Sequence, residues 1–372
     1  MITRMKEQCQ TGPTEIDLAS EMIRFVARTS AQCFIGVDLS EDFFETLMEF
    51  THLLNRIVVM TYFIPKQILK LTIGLVLDQY RYKMTKALQP TIKLYRDNTK
   101  FNESMVFRKS VDMGLTDQQI GDVVVCLLYV SSENTALGLT NSLIDILQHP
   151  DYITKLQSET RSDIQNGDAM SLFANDLLNS CVMESARMGT HIFPLNRQSH
   201  RTNFKLGDYY VGDIQSIALC EPALMKMEDC SATELFDNPA NYYPERFIAG
   251  PHNNHKPVST GSRTVMTWGA GSHLCTGKNF AIYEIKTALA MILNTFEIDL
   301  KNVSSHNYFS PSAFAERTAQ VSIKPLDDPV DLREVKRETI KIDNHESVIE
   351  RFEIDGNKVI VVRDYLTPHQ QK

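Results

Sequence analysis

Cys275 lies in the stretch Thr267–Ala281, TWGAGSHLCTGKNFA, where three glycines crowd one thiol and a helical pattern begins directly afterwards. Phe280, Glu284, Thr287, Ala288, Met291 and Ile292 recur at helical spacing, which predicts a helix after Gly277. A thiolate needs help to exist near neutral pH. The start of a helix supplies it, through free backbone N–H groups and the positive end of the helix dipole. Gly269, Gly271 and Gly277 allow tight turns and the close approach of a flat ligand. A single thiolate in such a loop suits an open metal site, iron of a haem among them. The competing reading is a buried structural cysteine beside a tight turn.

Three other groupings carry chemistry. Glu184 and Arg187 stand three apart, a pair that on any helix is a common surface ion pair. Arg246 sits in YYPERF at Tyr242–Phe247. The third grouping is polar: Ser131, Ser132, Glu133, Asn134 and Thr135 interrupt an apolar run. Short polar side chains compete for backbone carbonyls and bend helices, so a polar notch in a long buried helix suggests a site. A solvated flank is the alternative.

These residues need elements to position them. Thr116 and Gln119 match a capping box, and Pro150 ends the pattern that follows. Between them lie roughly 33 residues, or about 50 Å of helix, enough to cross a domain. Val123–Val130 is apolar all round, which predicts a central, buried position. An amphipathic helix is expected over Ile16–Phe34 with Gly36 as its C-cap, one after Pro150, and one over Ser171–Met188. NFKLGDYYVGDIQSIAL reads as a hairpin, and residues 221–263 read as a long irregular region of the kind that carries function.

The chain has 372 residues, 43% hydrophobic and 23% charged, with a net charge of −8. That balance supports a sizeable core and argues against sequence-independent nucleic-acid binding. Seven cysteines without a CxxC pair form neither a disulfide framework nor a four-cysteine zinc site, and a reducing compartment is the default. The most apolar N-terminal region, IVVMTYFIPKQILKLTIGLVL, is interrupted by Pro65, Lys66 and Lys70 and is too broken to cross about 30 Å of hydrocarbon.

Trp268, Gly271, His273, Cys275 and Gly277 together resemble the haem-binding signature of the cytochromes P450, F-x-x-G-x-[RH]-x-C-x-G, with Trp in place of Phe. In the right order, Glu184–Arg187 resembles that family's E-x-x-R, YYPERF its F-x-P-E-R-F, and the long helix its I helix. The resemblance implies a mainly α fold with small β-sheets, P450-like over residues 1–326. Measured against the family, the chain reads as starting near the D helix, without the N-terminal part of the fold. Residues 327–372 are expected to form an extension, either an accessory hairpin or the start of a second domain, with strands over Ser347–Ile354 and Lys358–Leu366 joined at Asp355–Gly356 and a helix start at Thr367–Pro368.

By that resemblance Cys275 is the axial ligand of haem b, and His273 and Arg197 face the propionates. Trp268 shields the sulfur, and Glu184, Arg187 and Arg246 form a buried charge network behind the haem. Thr135 takes the place of the family's proton-delivering threonine, with Glu133 and Asn134 beside it. Asn134 stands where the family has an acid, and Ser132 where it has glycine. Leu128, Ser131, Ser132, Ile192, Phe193 and Phe309 are the expected walls of a lipophilic pocket. The implied reaction is monooxygenation of a sterol, terpenoid or fatty acid. Electrons come from an NADPH-cytochrome P450 reductase or a similar donor, docking near Lys278 and Lys286. The family typically sits on the cytosolic face of the endoplasmic reticulum. A non-catalytic remnant and a reductase-independent isomerase or peroxygenase are the alternatives.

Overall fold

The computed structural model describes residues 2–329 except 37–38, 61–63, 98–103, 167, 191–194, 198–203, 213–216, 229–231, 252–255, 261–264 and 307–315. Beyond them it describes the strands Glu338–Ile342, His345–Ile354 and Asn357–Asp364.

The organising element is the helix Asp117–Leu147, 31 residues and about 46 Å long. Its start is the expected capping box. The Gln119 N–H donates to Thr116 Oγ1 at 3.3 Å, and the Thr116 N–H donates to Gln119 Oε1 at 2.9 Å. The helix Leu18–Ile35 runs antiparallel along it. Leu18, Met22 and Val26 share a core cluster with Leu139 and Leu143, while Ala27, Ala31 and Ile35 share one with Ile120 and Val124.

Burial along the long helix departs from expectation. Thr135–Leu147 is buried on all sides, whereas the apolar run Val123–Val130 has one outer face, with Val123 41% and Val130 52% exposed. The reason lies in the neighbours. The C-terminal half is surrounded by the helices Leu18–Ile35, Asp176–Met188 and Lys278–Leu293, while the N-terminal half packs one face on Met84, Leu88 and Ile92 of the helix Lys66–Asp97. That contact is close: a Cβ on Gly121 would lie 2.0 Å from Thr85 Oγ1. Among the described residues this is the one helix long and apolar enough to cross a membrane, and its apolarity is accounted for by core packing.

A three-stranded antiparallel sheet closes the other side, in the order Thr14–Asp17, Ala319–Pro325, Phe296–Val303. Ile16 therefore belongs to a strand, opposite Val321. The first amphipathic helix starts two residues later than its periodicity suggests, capped by the Asp17 carboxylate at the Ser20 N–H, 2.8 Å. It ends, as expected, at Gly36 with φ +71°.

The helix expected over Ser171–Met188 is two helices, Ala169–Ala174 and Asp176–Met188. Asn175 breaks it, because its side chain accepts from the Leu178 N–H at 2.7 Å and caps the second piece. The hairpin joins Phe204–Leu206 to Tyr209–Val211 through Gly207 at φ +58°, while Ile217–Leu219 pairs instead with Leu195–Arg197. In the C-terminal extension, His345–Ile354 and Asn357–Asp364 pair across residues 355–356, and Glu338–Ile342 adds a third strand. The helix start at Thr367–Pro368 lies outside the described residues.

Candidate functional site: a thiol loop on a buried charge network

Glu184 and Arg187 face inward from the helix Asp176–Met188, both with fully buried side chains. Arg187 holds the carboxylate through Nε at 2.8 Å and Nη2 at 2.7 Å. Its remaining donors go to the carbonyls of Met225, Pro239 and Asn241. Arg246, on the short 3-10 helix Pro244–Phe247, reaches the same carboxylate through Nε at 3.1 Å, and the Tyr243 N–H joins at 2.8 Å. Phe236 lies under both guanidiniums, 5.0 and 5.8 Å from its ring centre. The structure thus brings together Glu184, Arg187 and Arg246, which the sequence separates by up to 62 positions. Arginine suits this place because its planar fork satisfies a carboxylate and several carbonyls at once.

The thiol loop rests on this network. Trp268 is buried with Val265, Phe247, Phe236, Met183, Ala281 and Ile282. Thr267 donates to the carbonyl of Ala186 at 2.9 Å, and its hydroxyl lies 2.8 Å from that of Thr190. Lys226 closes the same helix end by donating to the carbonyls of Met188 and Thr190 at 2.8 and 3.0 Å, and burial pushes its ammonium down to about 7.

From Trp268 the chain turns back on itself. The Cys275 N–H donates to the Trp268 carbonyl at 2.8 Å. Gly269 makes that return possible: it has φ +77°, and a Cβ there would lie 2.5 Å from the carbonyl oxygen of His273. Gly271 has φ +64°. His273 stands in an exposed 3-10 turn. Cys275 is an exposed free thiol, two residues before Gly277, the N-cap of the helix Lys278–Leu293. Among the described residues no side chain caps that helix end.

Thr135 and Ser132 of the long helix are buried, at 5% and 7% exposure, and the Ser132 hydroxyl has no hydrogen-bond partner among the described residues. Ser131 donates to the Leu128 carbonyl at 3.3 Å. Leu128 is fully buried among the core residues of the helices Glu41–Met60 and Lys66–Asp97. Asn134 is half-buried. Glu133 accepts from Asn55 Nδ2 on the helix Glu41–Met60, so its carboxylate is engaged by a neighbouring helix. One turn further on, Leu137 packs in the same cluster as Trp268, Ala281 and Ile282, which sets the polar notch beside the thiol loop's own scaffold.

Arg197 ends the strand Leu195–Arg197 opposite Ile217. Ile192, Phe193 and Phe309 lie outside the described residues. Lys286, expected on a docking surface, is 1% exposed and donates to the carbonyls of Phe173 and Asn175; burial pushes its ammonium down to about 8. Lys278 is half-buried and donates to the Thr260 carbonyl at 3.3 Å. Sequence reasoning missed Thr190, Thr267, Lys226 and Asn55. A hydroxyl, an ammonium or an amide carries no periodicity, and each acts on a partner from 36 to 81 positions away.

The donor set fits a haem on three counts: a lone free thiol at an uncapped helix start, a glycine turn in which a side chain would collide, and an orphaned buried hydroxyl on the central helix. A mainly helical fold with small antiparallel sheets and such a loop define the haem-thiolate class. Residues 1–324 match the family model for cytochrome P450, and the chain belongs to that family. Proteins of this family bind haem iron through a cysteine thiolate.

The chain is 46% identical over 339 residues to a probable lanosterol 14-alpha demethylase of Acanthamoeba polyphaga mimivirus, covering 87% of this chain and 46% of that protein. It is 22% identical over 300 residues to a sterol 14-demethylase of Arabidopsis thaliana, covering 77% and 59%. It therefore spans about half the length of the curated relatives it matches. The crystal structure of the cytochrome P450DA haem domain superposes with a TM-score of 0.68 at 17% identity, covering 87% of this chain and 71% of that one.

Proposed function

We propose that this chain is a haem-thiolate monooxygenase that inserts one oxygen atom from O2 into a sterol. The observation that carries the proposal is the thiol loop itself: Cys275 is exposed on a turn anchored through Thr267 and Trp268 to a buried Glu184–Arg187–Arg246 network. The sterol is supported by the demethylase relatives.

Haem supplies, when bound, the oxygen-activating chemistry that no side chain provides. In this reading Cys275, on the turn just before Gly277, would ligate the iron. Trp268 keeps water from the sulfur. His273 and Arg197 hold the haem carboxylates. Thr135 offers a hydroxyl for proton handling, while Ser131 and Ser132 of the same polar notch would face the lipophilic ligand. The Glu184 network fixes the backbone under the loop rather than adding net stability. A reductase supplies electrons from the cysteine side.

The experiment is the reduced carbon-monoxide spectrum of the purified chain after haem loading, beside Cys275→Ser, followed by titration with lanosterol. A red-shifted Soret band that disappears in Cys275→Ser, and a spectral change on adding the sterol, are the expected results. Absence of any haem band in the wild-type chain overturns the reading.

A second reading, a peroxide-dependent or isomerising enzyme, is favoured by one observation. The acid position before Thr135 is Asn134, and the adjacent Glu133 is engaged by Asn55. Reductase-dependent oxygen consumption separates the two.

A further inference from the structure

A polar cleft of about 390 Å³ opens between the helices Ala169–Ala174 and Asp176–Met188 on one side and Lys278–Leu293 on the other. That volume suits a small organic molecule rather than a lone ion. Part of the lining is apolar: Met183, Ile282 and the rings of Phe173 and Tyr283, which stack with centres 4.4 Å apart. The rest is rich in hydrogen-bond donors, with Lys278, Lys286, Asn179 and Asn279.

The two lysines give the cleft its charge preference. Lys286 is buried, yet it lines the cleft; its ammonium donates to the carbonyls of Phe173 and Asn175, at the end of the short helix Ala169–Ala174. Lys278 donates to the carbonyl of Thr260. An ammonium carries three protons, so both lysines keep donors unused among the described residues. Burial pushes the Lys286 ammonium down to about 8 and lowers that of Lys278 as well. Each cation is thus poorly hydrated, the setting in which a charge-assisted bond to an anion is strongest. Asp176 is the one carboxylate among the described lining residues, and it is exposed. The two ammoniums outweigh it.

The cleft also has a built-in reporter. Met183 and Ile282 belong to the buried cluster that holds Trp268, the one tryptophan of the chain.

We propose that this cleft binds a small organic anion, a carboxylate or phosphate carried on a flat ring, and that its occupancy is felt at Trp268. Lys278 and Lys286 take the anionic head group, and the stacked Phe173 and Tyr283 take the ring. The proposal stands apart from the reading of Cys275 as a haem ligand, because neither the thiol nor a haem contact enters it.

The probes are phenyl phosphate and benzoate, titrated into the purified chain and followed by calorimetry and by Trp268 emission. Inorganic phosphate and benzyl alcohol are the controls. Saturable binding of at least one ring anion below about 1 mM, with a change in emission, is expected. Whichever of the two binds more tightly identifies the head group. Lys278→Gln is expected to weaken that binding roughly tenfold by removing a charged donor. Tyr283→Leu, which keeps the bulk and removes the ring, is expected to weaken it as well. Melting curves establish that each variant is folded.

Absence of binding by both ring anions up to about 1 mM overturns the proposal. Binding of inorganic phosphate or benzyl alcohol as tight as that of the ring anions also overturns it, since then charge or ring alone suffices. So does affinity unchanged in both folded variants, or binding by calorimetry with no response from Trp268; each puts the anion elsewhere.

Discussion

Thr267 and Thr190 touch, hydroxyl to hydroxyl, at 2.8 Å, both buried, 77 residues apart in the chain. One stands just past the helix that carries Glu184 and Arg187; the other is eight residues before Cys275. Together with the Thr267 bond to the Ala186 carbonyl, this contact welds the thiol loop to the charged helix. Thr267→Val keeps the shape and removes the hydroxyl. The expected cost is about 1 kcal/mol, since the Thr190 hydroxyl and the Ala186 carbonyl lose their shorter bonds and keep only the longer one between them, 3.4 Å. Chemical denaturation of the variant measures that cost, and faster loss of bound haem is its expected functional counterpart.

Glu184 is the single anion between two guanidiniums in a space without water access. Glu184→Gln strips the charge and leaves two buried cations. A loss of about 3–5 kcal/mol is expected, read as a lowered denaturation midpoint. Arg246→Gln costs less, because Arg187 still neutralises the carboxylate through two bonds.

The two glycines flanking the thiol respond differently to the same change. Gly269→Ala forces a Cβ to within 2.5 Å of the His273 carbonyl at a φ of +77°, at a cost of about 1–3 kcal/mol. Gly277→Ala meets nothing closer than Cys275 Sγ at 3.9 Å, at a φ of −87°. Its cost stays under about 1 kcal/mol, the loss of a flexible N-cap. Denaturation midpoints of the two variants, measured side by side, are expected to drop in the first and hold in the second.

Glu284, on the helix after the thiol, is buried, both its carboxyl oxygens lack a partner among the described residues, and burial pushes its carboxyl up to about 8. Above about pH 4.5 the unfolded chain releases this proton while the folded chain keeps it. Stability therefore falls as pH rises through the range up to about 8, by at most about 1.4 kcal/mol per unit. Glu284→Gln is expected to remove that slope, so the variant gains on the wild type steadily between pH 5 and 8. Equal slopes for the two proteins in denaturation series across this range contradict the expectation.

Much of the site was legible in the residues because some requirements are local. A capping box declares itself in Thr116 and Gln119, a C-cap in Gly36, and a tight turn in the spacing of Gly269, Gly271 and Gly277 around Cys275. Short-range sterics and hydrogen bonding decide these, and the chain carries both partners within a few positions. The E-x-x-R pair, the YYPERF segment and the thiol loop, met in order, were enough to expect the family and its haem.

Tertiary structure alone decided the rest, since burial is a property of neighbours. It exposed one face of Val123–Val130 and enclosed Thr135–Leu147, although both stretches are apolar. It put Lys286 inside, where sequence reasoning placed a docking cation. It split the helix at Asn175, whose side chain found the Leu178 N–H. It also turned Glu133 toward Asn55 and left the Ser132 hydroxyl without a partner among the described residues. Each outcome depends on which distant group arrives at the same place, and no local pattern records that.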